Sequence, residues 1–211
     1  SKKNYFDSKE VHQGSFDWQM VRASQLNAPV ESISTLPFNT DDWMPAIVPG
    51  TILNSLVHNG AYPEPYVGLN NKLEKGIIPD LAHVGRDFYT YWFRTEFEVP
   101  QSYNKKIVWL DVEGINYRAE IWVNGYMVGN MAGMFRSSRI DITDFVKIGR
   151  MNALAIKVYP VDMAGTVKPK GWGATGEFRN GGDGNIGLNT TMLMSAGWDF
   201  TFNDGIRDRN T

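Results

Sequence analysis

"AEIWVNGYMVG", residues Ala119 to Gly129, is the stretch that decides the fold of this chain. Its first half alternates apolar and polar side chains, which is the pattern of a half-buried β-strand. Asn124 and Gly125 follow where the alternation breaks, and both residue types tolerate the positive φ angles of a two-residue hairpin turn. The stretch therefore predicts two antiparallel strands joined by a tight turn.

Strand patterns of the same kind run through the rest of the chain. In "SFDWQMV" the side chains of Phe16, Trp18 and Met20 share one face, and "DFYTYWFRTEFEV" (87–99) predicts one long strand. Further strands are predicted in "KIVWLDVEG" (106–114), "YRAEIWV" (117–123) and "NALAIKVYP" (152–160). The segment "RIDITDFV" (139–146) predicts a short strand followed by one helical turn.

One short helix interrupts this β pattern. In "PGTILNSLVHNG" (49–60), Thr51 is the candidate N-cap, Ile52 and Leu56 recur at helical spacing, and Gly60 is the stop. Two segments, 59–85 and 160–189, are rich in glycine, proline or asparagine and have little periodicity. Loops of that length in a compact domain are usually functional. The expected fold class is all-β, an antiparallel β-sandwich with one short helix and long loops.

Composition narrows the classes of function. The formal net charge of 211 residues is −2, so no strong positive field recruits nucleic acid or an anionic membrane. There are no cysteines, which excludes disulfides, thiolate zinc sites and a cysteine nucleophile. Aromatic residues make up 13% of the chain, a density that suits β-strands and surfaces that hold sugars. We expect neither a nucleic-acid partner nor a membrane span.

Motifs for cofactors and metals lack their structural context. "GWGATG" (171–176) matches the glycine spacing of dinucleotide-binding loops, yet neither a strand before it nor a helix after it is predicted. His12, His58 and His83 are far apart and show no ligand spacing. We therefore expect no cofactor and no metal ion.

Paired carboxylates, the chemistry of glycoside hydrolysis, are not evident from spacing alone. Glu120, for example, alternates with Ile121 on a hairpin face that we expect to be exposed. The final stretch, "GWDFTFNDGIRDRNT" (197–211), mixes aromatic rings with carboxylates and arginines, as the rim of a binding site does. The candidate carboxylates are Glu113, Glu120, Glu177, Asp183, Asp199 and Asp204.

Several of these motifs together resemble one known family. "AEIWVNGYMVG" and the segment 135–160, with 44–71 and 84–100, resemble the amino-terminal galactose-binding-like jelly roll of glycoside hydrolase family 2. "GWDFTFNDGIRDRNT" is similar to a signature of its exo-β-glucosaminidase and β-mannosidase-like branch, although Phe200 replaces the usual second tryptophan. The resemblance implies that residues 1–211 are a single jelly-roll domain, a fragment of a longer enzyme.

The resemblance also implies a division of labour between domains. In the family, an immunoglobulin-like domain and a catalytic TIM barrel follow the jelly roll, and both catalytic glutamates lie on the barrel. No residue of this chain maps onto them, so the chain alone is expected to be inactive. Trp198 and Asp199 are the implied ligand contacts, in the pocket for the terminal sugar of a β-linked glycoside. The implied location is periplasmic or secreted, with the signal peptide outside this sequence.

Three functions stay open at this point. The chain is a non-catalytic domain of a β-glycosidase of the β-glucosaminidase or β-mannosidase type, a free-standing carbohydrate-binding module, or a purely structural domain without sugar contact. Titration with glucosamine, mannose and galactose separates the second from the others.

Overall fold

The structure is a computed structural model, and it describes residues 16–65, 67–70, 77–79, 81–133 and 136–160. Strands dominate these residues, and the helices are short. The strands are β1 (Gln19–Arg22), β2 (Met44–Pro45), β3 (Tyr91–Val99), β4 (Trp109–Val112), β5 (Arg118–Val123), β6 (Tyr126–Ala132), β7 (Ser138–Asp141) and β8 (Arg150–Tyr159). The helices are α1 (Val30–Ile33), α2 (Ile52–His58) and α3 (Leu81–Val84), with 3₁₀ turns at Ala23–Gln25, Arg86–Tyr89 and Gln101–Tyr103.

The described strands form two antiparallel sheets. The larger sheet has six strands in the order β2-β1-β3-β8-β5-β6, and the smaller pairs β4 with β7. Long β3 and β8 run the length of the larger sheet, from the pair Tyr91 and Val158 to the pair Val99 and Arg150. Because neighbouring strands in this order are far apart in sequence, long-range pairing fixes the sheet.

The two sheets face each other across an apolar core. Ile121 and Val123 of β5 and Leu154 of β8 are buried on the inner face of the larger sheet. Val108 and Ile142, at the ends of the smaller sheet, pack against them. Burying such side chains stabilises a fold by about 1.5–3 kcal/mol each. This is the predicted β-sandwich.

A second apolar layer covers part of the opposite face of the larger sheet. Ile33 of α1 and Trp43 pack there against Trp92 of β3 and Ala155 of β8. Buried Arg94 fastens the same segment, since its guanidinium donates to the carbonyl oxygens of Ile33 at 3.0 Å and Thr35 at 2.9 Å. The rest of this outer face, towards β5 and β6, carries polar side chains.

The hairpin predicted from "AEIWVNGYMVG" is confirmed. Asn124 and Gly125 join β5 to β6 with φ angles of 49° and 93°. The Asn124 side chain also ties the turn to the core: its amide nitrogen donates to Asn152 Oδ1 at 2.7 Å, and its oxygen accepts from the Ala153 amide. Positive φ and these bonds explain why asparagine precedes the glycine.

The predicted helix is also confirmed as α2. The Thr51 hydroxyl accepts a hydrogen bond from the Asn54 amide at 3.0 Å, so Thr51 is its N-cap. The further short helices and 3₁₀ turns were not predicted, because single turns leave no periodic pattern to detect.

Two local predictions were wrong. The strand predicted from residue 87 begins at Tyr91, because residues 86–89 form a 3₁₀ turn whose Tyr89 hydroxyl donates to the Pro79 carbonyl. After β7 there is a hydrogen-bonded turn rather than a helical turn. There the Asp141 carboxylate accepts from both the amide and the hydroxyl of Thr143.

Candidate functional site

The two residues expected to contact ligand, Trp198 and Asp199, lie outside the described residues. Glu177, Asp183 and Asp204 lie outside them as well, as do His12 and the glycine motif of 171–176. Their predicted roles therefore stay predictions. The site that the structure does describe lies on the outer face of the larger sheet.

This site is an open depression over β8, β5 and β6, with a cavity volume of about 410 Å³. We name it the outer-face depression. Polar and charged side chains make up most of its lining, which is the composition of a ligand contact surface rather than of a packed core. The lining residues are Arg86, Arg118, Ala119, Glu120, Met127, Asn130, Met131 and Tyr159.

Strand register explains why these side chains meet. Glu120 lies directly opposite Lys157 on one side and opposite Asn130 on the other. One step along, Arg118 lies opposite Tyr159. Directly opposite residues of an antiparallel pair point to the same face with their Cβ atoms about 5 Å apart. The sheet thus collects charged, amide and phenol groups from three strands on one surface.

Glu120 and Tyr159 form the central contact of the outer-face depression. The Tyr159 hydroxyl donates to Glu120 Oε1 at 2.7 Å, and both side chains are half-buried. Burial raises the pKa of Tyr159 well above its ordinary value, and the bond to Glu120 raises it further, while nearby Arg86 opposes the shift. Tyr159 therefore keeps its proton at neutral pH and acts as a hydrogen-bond donor, not as a base.

Aromatic rings and cations surround this contact. The Lys157 ammonium lies 5.1 Å from the ring centroid of Tyr159 and 5.7 Å from that of Trp92, within the range of cation–π attraction. Arg86 donates to the carbonyl oxygen of Pro160 at 3.2 Å, next to Tyr159. The arrangement holds both cation and phenol at defined positions beside the carboxylate.

These groups are suited to binding rather than to hydrolysis. Glycoside hydrolysis uses two carboxyl groups on either side of the scissile bond. Glu120 is the single carboxylate among the described lining residues, and Glu113 lies exposed in the loop after β4. The described residues contain no group of three His, Cys, Asp or Glu side chains that could hold a metal ion. None of the helices described is long and apolar enough to cross a bilayer.

Sequence reasoning missed most of this site. Glu120 was expected on an exposed hairpin face, yet it is half-buried and bonded to Tyr159. The alternation in "YRAEIWV" does place Arg118 and Glu120 on one face, which is the available signal. Their partners on β8 depend on register, and no pattern within one strand reveals it.

Comparison with known proteins bears on the whole chain. A family model described as "Glycosyl hydrolase 2 galactose-binding domain-like" matches residues 18–206, most of the 211. The chain belongs to this family. The resemblance stated from the motifs is thereby confirmed, and the sandwich of the structure fits a galactose-binding-like domain.

Relatives of this domain are glycosidases. A mannosylglycoprotein endo-β-mannosidase of Lilium longiflorum is 38% identical over 197 residues, which are 92% of this chain and 19% of the relative. An exo-β-D-glucosaminidase of Amycolatopsis orientalis is 27% identical over 146 residues, 68% of this chain and 13% of the relative.

A solved structure is similar as well. The crystal structure of Amycolatopsis orientalis exo-chitosanase CsxA superposes with a TM-score of 0.59 at 27% identity. The match covers 72% of this chain and 17% of that one. The chain thus spans less than a fifth of the length of these three proteins.

Proposed function

We propose that this chain is the non-catalytic, sugar-binding-like domain of a β-glycosidase, and that its Trp198–Asp199 loop contributes to the pocket for the terminal sugar. The observation that carries the proposal is the family match over 18–206, because that span includes both residues within "GWDF". In this proposal residues 1–211 form one jelly-roll domain of a longer enzyme. It packs beside a catalytic TIM barrel, with an immunoglobulin-like domain in the same chain.

The substrate class follows from the relatives. We infer a β-linked mannoside or glucosaminide, since the relatives include an endo-β-mannosidase and an exo-β-D-glucosaminidase. The mannosidase is both more identical, at 38% against 27%, and matched over more of the chain, 92% against 68%. This favours the mannoside. A β-glycosidase of this kind acts on external glycans, so we place the protein in the periplasm or outside the cell.

The chemistry of Asp199 supports a role in binding. Its carboxylate stands between two aromatic residues, Trp198 and Phe200. A carboxylate in apolar surroundings is costly to bury unless hydrogen-bond donors meet it. Pairs of sugar hydroxyls, or the ammonium group of a glucosamine, are donors of that kind. Trp198 offers a flat ring on which the C–H face of a sugar can stack.

The test is Asp199→Asn in the longer enzyme that carries the catalytic domain. The substitution keeps the shape of the side chain and removes its charge. If Asp199 binds the sugar, kcat/KM for aryl β-mannosides or β-glucosaminides should fall by about tenfold or more, with Tm unchanged. Asp111→Asn is the matched control: Asp111 is exposed and pairs with Arg139 on the smaller sheet, so its loss should leave kcat/KM as it is.

Three other outcomes would contradict the proposal. A fall in Tm with an unchanged kcat/KM would make Asp199 a backbone cap and remove it from the site. Release of nitrophenol by the purified 211-residue chain, in proportion to the protein added, would show that the domain is catalytic. Tight binding of glucosamine, mannose or galactose by the chain alone would identify a free-standing carbohydrate-binding module instead.

A further inference from the structure

The outer-face depression carries more positive than negative charge. Two guanidinium groups, Arg86 and Arg118, line it beside the single carboxylate of Glu120. Lys157 lies directly opposite Glu120 across the β5–β8 pair, so this carboxylate already has a cation next to it. The whole chain has a formal net charge of −2, and the positive excess is therefore local to the depression.

The acceptors and donors of the outer-face depression are also unequal. Glu120 Oε1 is occupied by the Tyr159 hydroxyl at 2.7 Å. Arg86 donates one bond to the Pro160 carbonyl, and a guanidinium carries more N–H donors than one such bond uses. Arg118 is exposed and presents the same fork of donors from β5. A ligand that fits this surface must bring acceptors and negative charge.

We propose that the outer-face depression binds the oxyanion group (carboxylate, sulfate or phosphate) of an acidic saccharide. Planar guanidinium forks match the paired oxygens of such groups, and charge-assisted bonds of this type are about twice as strong as neutral ones. The Tyr159 ring and the Met127 side chain supply apolar surface for the sugar C–H groups. The proposal goes beyond the proposed function, because it uses neither Trp198 nor Asp199.

Calorimetric titration of the 211-residue chain tests the specificity. The ligands are glucuronic acid, glucose, glucosamine and inorganic phosphate, which differ in charge at similar size. Glucuronic acid should bind at least about tenfold more tightly than glucose or glucosamine. Binding should weaken as ionic strength rises from about 0.02 M to about 0.2 M, since exposed charges are screened. If glucose or glucosamine binds as tightly as glucuronic acid, the proposal is wrong.

The phosphate titration distinguishes the source of the oxyanion. Glucuronic acid binding more tightly than phosphate supports an acidic saccharide, because the sugar ring then adds contacts with Tyr159 and Met127. Phosphate binding as tightly as glucuronic acid would overturn the saccharide part and leave a simple oxyanion site. No measurable binding of either would overturn the whole proposal.

Variants locate the binding on this surface. Arg118→Gln keeps an exposed polar side chain and removes the charge, and it should weaken glucuronic acid binding about tenfold. Arg139→Gln is the matched control, an exposed arginine of β7 on the smaller sheet. Equal binding by wild type and Arg118→Gln, or an equal loss in both variants, would refute the assignment. Circular dichroism spectra and Tm values confirm that both variants fold.

The two proposals of this article fail independently. Asp199→Asn should leave glucuronic acid binding by the chain unchanged, because that residue is not among the lining residues of the depression. Arg118→Gln should leave the hydrolysis of neutral aryl β-mannosides by the longer enzyme unchanged. An effect of Asp199→Asn on both readouts would mean that one site, not two, serves both ligands.

Discussion

Asn152 of β8 offers the sharpest test of how this sandwich is held together. It is fully buried and uses every hydrogen-bonding position of its amide. Its oxygen accepts from the Lys147 amide and from Asn124 Nδ2, both at 2.7 Å. Its nitrogen donates to the carbonyl oxygens of Lys147 at 3.1 Å and Arg150 at 2.8 Å. These four partners define which end of the amide is nitrogen.

The substitution Asn152→Asp changes one atom and keeps the shape. An oxygen then faces two carbonyl oxygens that have lost their donor. Each orphaned buried group costs about 1–3 kcal/mol, so the free energy of unfolding should fall by about 4 kcal/mol at pH 7. Because 1 kcal/mol corresponds to about 2–4 °C in a protein of this size, Tm should fall by about 8–16 °C.

The loss should depend on pH in a defined direction. Burial among carbonyl oxygens raises the folded-state pKa of the introduced carboxyl above its unfolded value. Such a group contributes most favourably below its unfolded pKa, and that contribution is lost as pH rises through the folded pKa. The difference in unfolding free energy between variant and wild type should therefore shrink as pH falls from 7 towards 4, since the protonated carboxyl can again donate to one carbonyl.

Urea unfolding at both pH values, followed by tryptophan fluorescence, measures this difference. Asn104→Asp is the control, because Asn104 is exposed and a surface change of this kind stays within about 0.5 kcal/mol. Equal stability of Asn152→Asp and wild type at pH 7 would refute the hydrogen-bond assignment. A difference that grows on acidification would refute the expected sign of the pKa shift.

Two further predictions concern other buried or bonded charges. Arg94→Met removes the bonds to the carbonyl oxygens of Ile33 and Thr35 and to Glu96, so the free energy of unfolding should fall by about 2–4 kcal/mol; Arg139→Met, which breaks an exposed pair, should cost at most about 1 kcal/mol, and equal losses would refute the reasoning. Asp141 accepts from the hydroxyl and the amide of Thr143, which lowers its pKa. Its contribution to stability is present above the unfolded pKa and is lost as pH falls through the lower folded pKa. Asp141→Asn should therefore flatten the loss of stability on acidification, and unchanged acid sensitivity in urea titrations would contradict this.

Local chemistry made several features of the fold readable from the sequence. The Asn124–Gly125 turn follows from the tolerance of both residues for positive φ, and α2 follows from the Thr51 cap and the spacing of Ile52 and Leu56. Strands β4, β5 and β8 follow from alternation, because side chains of a strand point to opposite faces in turn. The combination of motifs also identified the family, which the match over 18–206 confirms.

The candidate site shows where reading from the sequence stops. The sequence by itself determined that Arg118 and Glu120 share a face of one strand, since that depends only on neighbours along the chain. Only the tertiary structure decided that Glu120 meets Tyr159, 39 residues away, and that the Arg94 guanidinium finds carbonyl oxygens about 60 residues before it. The physical reason is register: a shift of one residue between β5 and β8 would turn every side chain of one strand to the other face. That register is set by the packing of the whole sandwich core, and no single stretch of sequence contains it.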